Sequence, residues 1–378
     1  MGRRARSTCC SRASSPATPI WTCATSHISA AAELEIDLRA VVANWQDLCR
    51  RHPGGPVAAV VKADAYGLGA ARVVPALHAA GCRHFFVAHL HEALALRTLV
   101  PDAMLAVLNG IWPGDAPIYA EHGILPVLGS LPEIEAWSGP ALLHVDTGMH
   151  RLGLSAAELD ILAARPELLR RIELRWIMTH LASSEVPGDK LNELQRRRFA
   201  EACARLPPAP RSFANSSGLF LGPDYGSDLA RPGAALYGIN PTPGRSNPMR
   251  PVVRLRARLL QVRQVPKGET VGYNGTWVAE RPSRIGTVSV GYADGFPRAL
   301  SNRAVACFDG GRVPLVGRVS MDLTTFDLTG EPACGPGGWL ELIGPSLPVD
   351  EVAACAGTNA YEILTALGRR YHRIYFGA

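Results

Sequence analysis

The chain has 378 residues, of which 47% are hydrophobic and 19% are charged, so it can bury a large core and has room for two domains. Its formal net charge is +6, but residues 1–32 contain four arginines and no acidic residue, which leaves +2 (6 − 4) for the rest of the chain. This balance predicts no nucleic-acid partner. No stretch of about 18 apolar residues occurs, so we also expect no membrane partner.

Nine cysteines are scattered along the chain without the close Cys and His spacings that are typical of metal sites. We therefore expect reduced thiols, no bound metal and a cytoplasmic location. Residues 1–32 are rich in Ser, Thr, Ala and Arg, and they lack an apolar run long enough for the core of a secretory signal. They predict a disordered N-terminal extension, with an organelle transit peptide as the alternative.

Eight short apolar segments with strand character follow one another between residues 56 and 240, and most are separated by amphipathic helical patterns. The strand segments lie near 57–62, 84–89, 103–109, 124–129, 141–146, 174–180, 211–215 and 235–239. The helical patterns cover 70–80, 91–99, 155–164 and 190–206. This repeated unit predicts an α/β fold with a TIM-like (β/α)8 barrel over residues 33–240, whose site lies at the C-terminal ends of the strands.

After a linker rich in Pro, Gly and Ser at 241–251, the pattern changes to strands joined by Gly- and Pro-rich turns. These strand segments lie at 252–265, 283–291, 303–308 and 312–328. They predict a second, mostly antiparallel β domain over residues 245–378. Two helical stretches, 349–356 and 360–370, close the chain. A further strand at 33–38 could belong to either domain.

The segment VAAVVKADAYGLG (57–69) brings Lys62 to the end of a buried strand, which then breaks into a glycine-bearing turn. A lysine partly shielded from water is easier to deprotonate and can form a Schiff base with an aldehyde. A surface lysine that ends a strand is the alternative interpretation of this segment alone. Further polar residues fall at or just after strand ends, where a barrel places its site: Asp146, Arg151, His180, Asn215 and Ser216.

The later motifs of the chain make its sequence resemble a known family. They are HVDTGMHRLG (144–153), THLA (179–182), ANSS (214–217), RPG (231–233), GY (272–273), GYADG (291–295) and VSMD (319–322). Together with the lysine segment they resemble the alanine racemases that use pyridoxal 5'-phosphate, over roughly residues 33–378. The resemblance implies that the barrel binds this cofactor, and it assigns the strand at 33–38 to the second domain.

The resemblance also implies two bases, one for each face of the substrate. Lys62 would hold the cofactor and act as one base, and Tyr273 would be the other. A phenol has a pKa of about 10, so Tyr273 would need a nearby cation or donor, for which His180 and Arg231 are candidates. Arg231 matches the arginine that faces the pyridine nitrogen, and an arginine cannot accept a proton there, which limits transamination. The alternatives are a structural salt bridge from Arg231 to Asp228 or another acid, and a plain strand-end aromatic at Tyr273.

The same resemblance distributes the remaining site residues among three tasks. The cofactor and its phosphate would be bound by Tyr66, His180, Asn215, Ser216, Gly233, Ala234 and Tyr361. The substrate carboxylate would be bound by the side chain of Arg151 and the backbone amide of Met321. A narrow access corridor, which would favour small amino acids, would be formed by Tyr292, Arg298, Arg318 and Glu185.

His144 departs from the family pattern. The best-known members have a lysine at this position, and its carbamylated, negatively charged side chain orients the arginine matched by Arg151. A histidine cannot supply that anion. Our hypothesis is that water, a bound chloride or another acid takes its place, with His144 donating a hydrogen bond to it.

The family is dimeric, so the resemblance implies a homodimer in which each site receives Tyr273 and Met321 of the partner subunit. It implies interconversion of L-alanine and D-alanine, either to supply D-alanine for peptidoglycan or to break it down. The alternatives are a serine or broad-specificity racemase, a non-catalytic protein that binds the cofactor, and a decarboxylase. A barrel-only binding protein would not need residues 245–378, and the decarboxylases usually place a carboxylate at the pyridine nitrogen.

Overall fold

The computed structural model of the chain describes residues 30–377. Residues 1–29 and 378 lie outside the described residues, and with them lies all but the end of the predicted disordered extension. The described chain starts with strand β1 (Ala32–Asp37) and helix α1 (Leu38–Arg51). Helix α1 begins after Asp37 because this carboxylate caps it, accepting the N–H groups of Arg39 and Ala40 at 2.9 and 3.2 Å.

Seven parallel strands form a curved sheet in which each strand pairs with the next one along the chain. They are β2 (Ala59–Val60), β3 (His84–Val87), β4 (Met104–Val107), β5 (Ile124–Leu128), β6 (Gly139–His144), β7 (Ile172–Met178) and β8 (Arg211–Ser212). Most of their residues are apolar and buried, as is typical of a parallel sheet covered by helices.

Helical segments alternate with these strands. They are α2 (Lys62–Tyr66), α3 (Ala70–Ala79), α4 (Leu90–Arg97), α5 (Ala116–Glu121), α6 (Leu131–Ala136), α7 (Ala156–Ala164) and α8 (Lys190–Arg205). The predicted helical patterns at 70–80, 91–99, 155–164 and 190–206 correspond to α3, α4, α7 and α8. Among residues 30–377, no helix has the length and apolar character needed to cross a membrane.

Segment 229–232 closes the barrel between β8 and β2. The N–H of Ala58 donates to the carbonyl of Ala230 (2.8 Å), and the N–H of Arg231 donates to the carbonyl of Ala214 (2.9 Å). Val57 and Ala230 form a parallel bridge. The sheet therefore continues through this segment, and the predicted α/β fold with a TIM-like barrel is confirmed.

The predicted eighth strand at 235–239 was wrong. This stretch forms a short 3-10 helix, Ala234–Tyr237, that lies just after segment 229–232. Its residues are buried on all sides, and a short apolar run without a polar face does not distinguish a strand from a helical turn. The error moved the last barrel strand past Arg231 and Gly233, although Arg231 lies within the true segment and Gly233 directly follows it.

A mostly antiparallel sheet of eight strands forms the second part of the structure. It consists of β1, β9 (Val253–Val265), β12 (Ser283–Val288), β13 (Val305–Phe308), β14 (Gly311–Pro314), β15 (Thr324–Asp327), β16 (Trp339–Ile343) and β17 (His372–Phe376), beside a separate hairpin of β10 (Thr270–Val271) and β11 (Trp277–Val278). Strand β1 pairs antiparallel with β9 and parallel with β17. The first strand of the described chain thus lies in this sheet and not in the barrel.

Two helices, α9 (Val349–Ala356) and α10 (Ala360–Ala366), connect β16 to β17. Helix α10 ends earlier than the predicted stretch 360–370. Its N-cap is Asn359, whose side chain accepts the N–H of Glu362 at 3.1 Å. Helix α10 carries Tyr361 to the C-terminal face of the barrel, so both parts of the structure contribute to that face.

Candidate active site

A cavity of about 500 Å³ opens at the C-terminal ends of the barrel strands. This is the face on which barrel enzymes carry their active sites. Eleven of the predicted site residues line it: Lys62, Tyr66, Arg151, His180, Glu185, Asn215, Ser216, Arg231, Gly233, Ala234 and Tyr361. They come from six separate stretches of the chain, five in the barrel and one, with Tyr361, in α10.

Lys62 follows the buried strand β2 after one residue, Val61, and is the only one of the three lysines that lines the cavity. Burial lowers the pKa of its amine, and the positive charge of Arg151 lowers it further, while the carboxylate of Glu92 acts in the opposite direction. The amine is therefore easier to deprotonate than that of an exposed lysine, as a nucleophile toward an aldehyde requires.

The backbone after Lys62 forms one turn of left-handed helix. Ala63, Asp64, Ala65 and Tyr66 have φ angles of 53°, 55°, 55° and 56°. This conformation costs about 1–2 kcal/mol per residue for L-amino acids, so a run of four needs strong external support. Gly67 (φ 82°) ends the turn, and its carbonyl accepts a hydrogen bond from the side chain of Arg373 on β17 at 2.7 Å.

Arg231 lines the cavity and is only 4% exposed. Its guanidinium donates to the hydroxyl of Ser212 and to the carbonyl of Thr179. Among the described residues no carboxylate lies within ion-pair distance of it, and Asp228 instead accepts the N–H of Arg211. The alternative of a structural salt bridge is therefore not what the structure has. Burial lowers the pKa of Arg231 to about 10, so the side chain stays charged at neutral pH.

Ser216 organises a turn of backbone amides beside Arg231. Its hydroxyl oxygen accepts the N–H groups of Gly233 (3.0 Å) and Ala235 (3.2 Å). A Cβ on Gly233 would lie 2.3 Å from the phenol oxygen of Tyr66, so only glycine allows these groups to approach each other. These two N–H groups are bonded to Ser216 and fix the turn, and the hydroxyls of Ser216 and Tyr66 beside it line the cavity, where hydroxyl donors are suited to a phosphate.

Tyr66 and Tyr361 both line the cavity, with ring centroids 6.2 Å apart. Burial raises the pKa of Tyr66 to about 12, so its phenol is protonated and can donate a hydrogen bond. The phenol of Tyr361 donates to the carboxylate of Glu185 at 2.6 Å. The structure thus joins Glu185, which was predicted for the access corridor, by a hydrogen bond to Tyr361, which was predicted to bind the phosphate.

The loop after β6 carries Arg151 into the cavity. The carboxylate of Asp146 shapes this loop by accepting the N–H groups of Gly148, Met149 and His150 at 2.9 to 3.1 Å. Arg151 forms no ion pair with any of residues 30–377 in the structure, so no acid in this part of the chain replaces the carbamylated lysine. Its guanidinium remains available for a ligand.

His144 is buried at the end of β6. Burial and the nearby charge of Arg231 lower the pKa of its imidazole to about 4, so the ring is neutral at physiological pH. It lines a second cavity of about 540 Å³ that also includes Arg151. A neutral imidazole can still donate one hydrogen bond to an anion or a water molecule.

His180 also stays neutral, because burial and the charge of Arg231 lower its pKa to about 3. The loop that carries it is fixed by Gln195 of α8, which our sequence reasoning missed. The amide nitrogen of Gln195 donates to the carbonyl of His180 (2.9 Å) and to the hydroxyl of Thr147 (3.0 Å), and its oxygen accepts the N–H of Ala182 (2.8 Å). Only its place on the buried face of a helix could have indicated this role.

The other five predicted site residues do not line the cavity: Tyr273, Tyr292, Arg298, Arg318 and Met321. Tyr273 is 68% exposed, and Met321 is 53% exposed. Arg298 and Arg318 share a separate recess of about 260 Å³. Within one chain, the cavity therefore lacks one of the two predicted bases.

The charge of the cavity is strongly one-sided. Lys62, Arg151 and Arg231 all line it, and Glu185, already bonded to Tyr361, is its one acidic residue among those described. Arg151 and Arg231 have no ion-pair partner among the described residues, and such an excess of positive charge is suited to a ligand that carries several negative charges.

The chain matches family models over both of its parts. The model described as alanine racemase, N-terminal domain, matches residues 36–241, and the model described as alanine racemase, C-terminal domain, matches residues 252–375. An alanine racemase from Acidiphilium cryptum is 57% identical over 349 residues, which cover 90% of this chain and 98% of that protein.

Solved structures agree with this match. The alanine racemase from Bartonella henselae, solved with covalently bound pyridoxal phosphate, has a TM-score of 0.89 at 43% identity, over 92% of this chain and all of that one. The biosynthetic alanine racemase from Pseudomonas aeruginosa has a TM-score of 0.88 at 36% identity, over 92% of this chain and 100% of that one. The chain belongs to the alanine racemase family.

Proposed function

We propose that this chain interconverts L-alanine and D-alanine with pyridoxal 5'-phosphate bound to Lys62. The observation that carries the proposal is the lysine itself, which is the only one along an electropositive cavity at the C-terminal face of the barrel. Its relatives are named alanine racemases, and one of them has been solved with the cofactor covalently bound.

The residues present fit the cofactor. A volume of about 500 Å³ is in the range of small-molecule sites. Ser216, the backbone of Gly233 and Ala234 and the phenols of Tyr66 and Tyr361 would form a cradle for the phosphate, since all five residues line the cavity. Asn215 fixes this region because its side-chain oxygen accepts the N–H of Gly218 at 2.8 Å.

When bound, the cofactor supplies an electron-withdrawing ring that makes the α-proton of an attached amino acid removable. The protein has to move that proton. Lys62 Nζ would accept or return it on one face, and the phenol oxygen of Tyr273 on the other. Arg151 and the amide of Met321 would hold the substrate carboxylate between them.

Arg231 would face the ring nitrogen as a permanent donor. A guanidinium has no acceptor site, so it cannot take a proton from the ring. The absence of a nearby carboxylate among residues 30–377 separates this arrangement from that of the decarboxylases, which usually place a carboxylate there. An arginine without a carboxylate at this position limits transamination, and the arrangement therefore favours a racemase.

Tyr273 and Met321 would reach the cavity from a second copy of the chain, in a homodimer with shared sites. Their exposure supports this arrangement, because a phenol that must touch a substrate does not line the cavity of its own chain. Tyr292, Arg298 and Arg318 would come with them and form the access corridor together with Glu185.

Circular dichroism of the enzyme with L-alanine, L-serine and L-lysine in turn tests the proposed activity. We expect rapid loss of optical activity with alanine, and none in a Lys62→Ala variant. Borohydride reduction followed by peptide mass spectrometry should place the cofactor on Lys62. Lys190→Ala and Lys267→Ala are matched controls, since the chain has only these two other lysines. A fixed cofactor without racemisation of any of the three amino acids would refute the proposed activity.

A further inference from the structure

Glu92, near the start of α4, makes three hydrogen bonds that join two loops. One carboxylate oxygen accepts the N–H of Ala63 at 2.6 Å. The other accepts the N–H groups of Ala88 and His89 at 2.8 and 3.0 Å, which caps the helix. The side chain thus connects the start of its own helix to the residue directly after Lys62.

The same device recurs in the barrel. Glu133 on α6 accepts the N–H of Gly129 beside its own helix (2.7 Å) and that of Ile111 in another loop (3.2 Å). Glu158 on α7 accepts the N–H of Ser155 (2.9 Å) and that of Leu131 (3.3 Å). All three glutamates occupy the third position of a helix. Glu92 differs from the other two because its hydrogen bond to a second loop is with Ala63, the residue directly after Lys62.

The Ala63 N–H belongs to the first peptide of the left-handed turn. The other end of that turn is held by Arg373 at Gly67, and the carboxylate of Asp64 accepts the N–H of Ala70 at 2.7 Å. At the lysine end, Glu92 is the side chain that accepts from the turn. Loss of this bond would leave the strained backbone free to relax where Lys62 begins.

We propose that Glu92 is a positioning residue for Lys62. It fixes the left-handed turn at the lysine end, and its negative charge counteracts the electrostatic repulsion between Arg151 and the Lys62 ammonium. This inference rests on the proposed function only in taking Lys62 as the lysine that binds the cofactor. The burial of Lys62 and the charge of Arg151 both favour the neutral amine, and Glu92 limits their effect.

The test uses Glu92→Gln in the full chain, with Glu158→Gln as the matched control. A glutamine has one acceptor oxygen, so it can serve Ala63 or the helix cap but not both, and it carries no charge. Glu158→Gln removes the same kind of link at a helix that does not touch Lys62. Both variants should lose a similar amount of thermal stability.

The first readout is the titration of the Lys62 amine in protein freed of cofactor. Trace acetylation at a series of pH values, followed by peptide mass spectrometry, measures it against Lys190 and Lys267 in the same sample. We expect the Lys62 midpoint to fall by about 0.5–1 pH unit in Glu92→Gln and to stay unchanged in Glu158→Gln. An unchanged midpoint in Glu92→Gln overturns the electrostatic part of the proposal.

The second readout separates kcat from KM in cofactor-saturated enzyme. Misplacement of the lysine should lower kcat by about 10-fold or more in Glu92→Gln with little change in KM. Equal kcat values for the two variants overturn the positioning role. If Glu92→Gln does not fold, Glu92→Asp replaces it: aspartate keeps the charge but cannot span both loops, and an unaltered kcat then contradicts the proposal.

Failure of the proposed function has a different signature. If borohydride fixes the cofactor on Lys190 or Lys267, or fixes none, Lys62 is not the lysine that binds the cofactor. The titration of Lys62 would still report whether Glu92 controls its amine. The two ideas can therefore fail separately.

Discussion

Mixing two inactive variants tests whether Tyr273 acts in the site of a second chain. Lys62→Ala removes the base that lines the cavity, and Tyr273→Phe removes the phenol, which is 68% exposed in the single chain. If each site takes Lys62 from one chain and Tyr273 from the other, a mixed dimer has one intact site and one site that lacks both residues. In a random 1:1 mixture half of the dimers are mixed, so about one quarter of all sites in the mixture should be active.

The assay is co-expression of the two variants under different affinity tags, followed by purification through both tags. The isolated mixed dimer should then have about half of the wild-type kcat per dimer, with an unchanged KM for alanine. A matched control pairs Lys62→Ala with Arg151→Ala. Both residues line the same cavity of one chain, so each site of that mixed dimer is defective and no activity should return.

Two results would contradict this reasoning. Recovery in the control pair would mean that Arg151 also crosses between chains, against its place in the cavity of its own chain. No recovery for Lys62→Ala with Tyr273→Phe, in a dimer shown by sedimentation to be intact, would mean that Tyr273 works within its own chain or not at all.

Three further predictions follow from the local geometry. Ala63→Gly should leave the free energy of unfolding unchanged or raise it by up to about 1 kcal/mol, because glycine tolerates the left-handed conformation. The control Ala200→Gly in α8 should lower the free energy of unfolding by about 1 kcal/mol. Equal losses for the two variants in urea unfolding would contradict this prediction. Gly233→Ala should weaken cofactor binding about 10-fold or more, because its Cβ would lie 2.3 Å from the Tyr66 phenol oxygen. In a Tyr66→Phe background the effect of Gly233→Ala should be much smaller. Fully additive losses of cofactor affinity in fluorescence titrations would show that this contact is not the cause. Finally, His144 has no amine to carbamylate, so chloride added to a halide-free buffer should lower the KM for alanine, while removal of bicarbonate should have no effect; the reverse pattern would refute the anion hypothesis.

The alternation of strands and helices was readable because buried parallel strands are nearly all apolar and the helices between them have polar faces. The closing segment 229–232 could not be predicted in this way. Its residues are held by backbone hydrogen bonds to both neighbours, and the more apolar stretch after it, which looked like the strand, forms a helical turn. Strands β16 and β17 were also missed. The second of these carries His372 and Arg373 among its five residues, and such an edge strand has little hydrophobic pattern to detect.

Lys62 and Arg151 were predictable from their places at strand ends, whereas Arg231 was identified by resemblance; all three line the cavity. The residues that hold them were not predictable. Gln195 and Glu92 are ordinary polar residues on helices, and their roles depend on which loop the closed barrel brings opposite them. Tyr273 was identified only by resemblance, and its position in a single chain gives no indication of the second base.

The second domain does more than add residues to the mouth of the barrel. The left-handed turn after Lys62 is supported from β17, where Arg373 donates to the carbonyl of Gly67 at 2.7 Å and Tyr375 to that of Leu68 at 3.0 Å. A Cβ on Gly67 would lie 2.5 Å from a carbonyl of α10, so the turn also packs directly against that helix. A strained backbone persists only when its surroundings hold it. The barrel by itself would therefore lack part of what fixes its lysine, which argues against a barrel-only binding protein and for an enzyme whose two domains build one site.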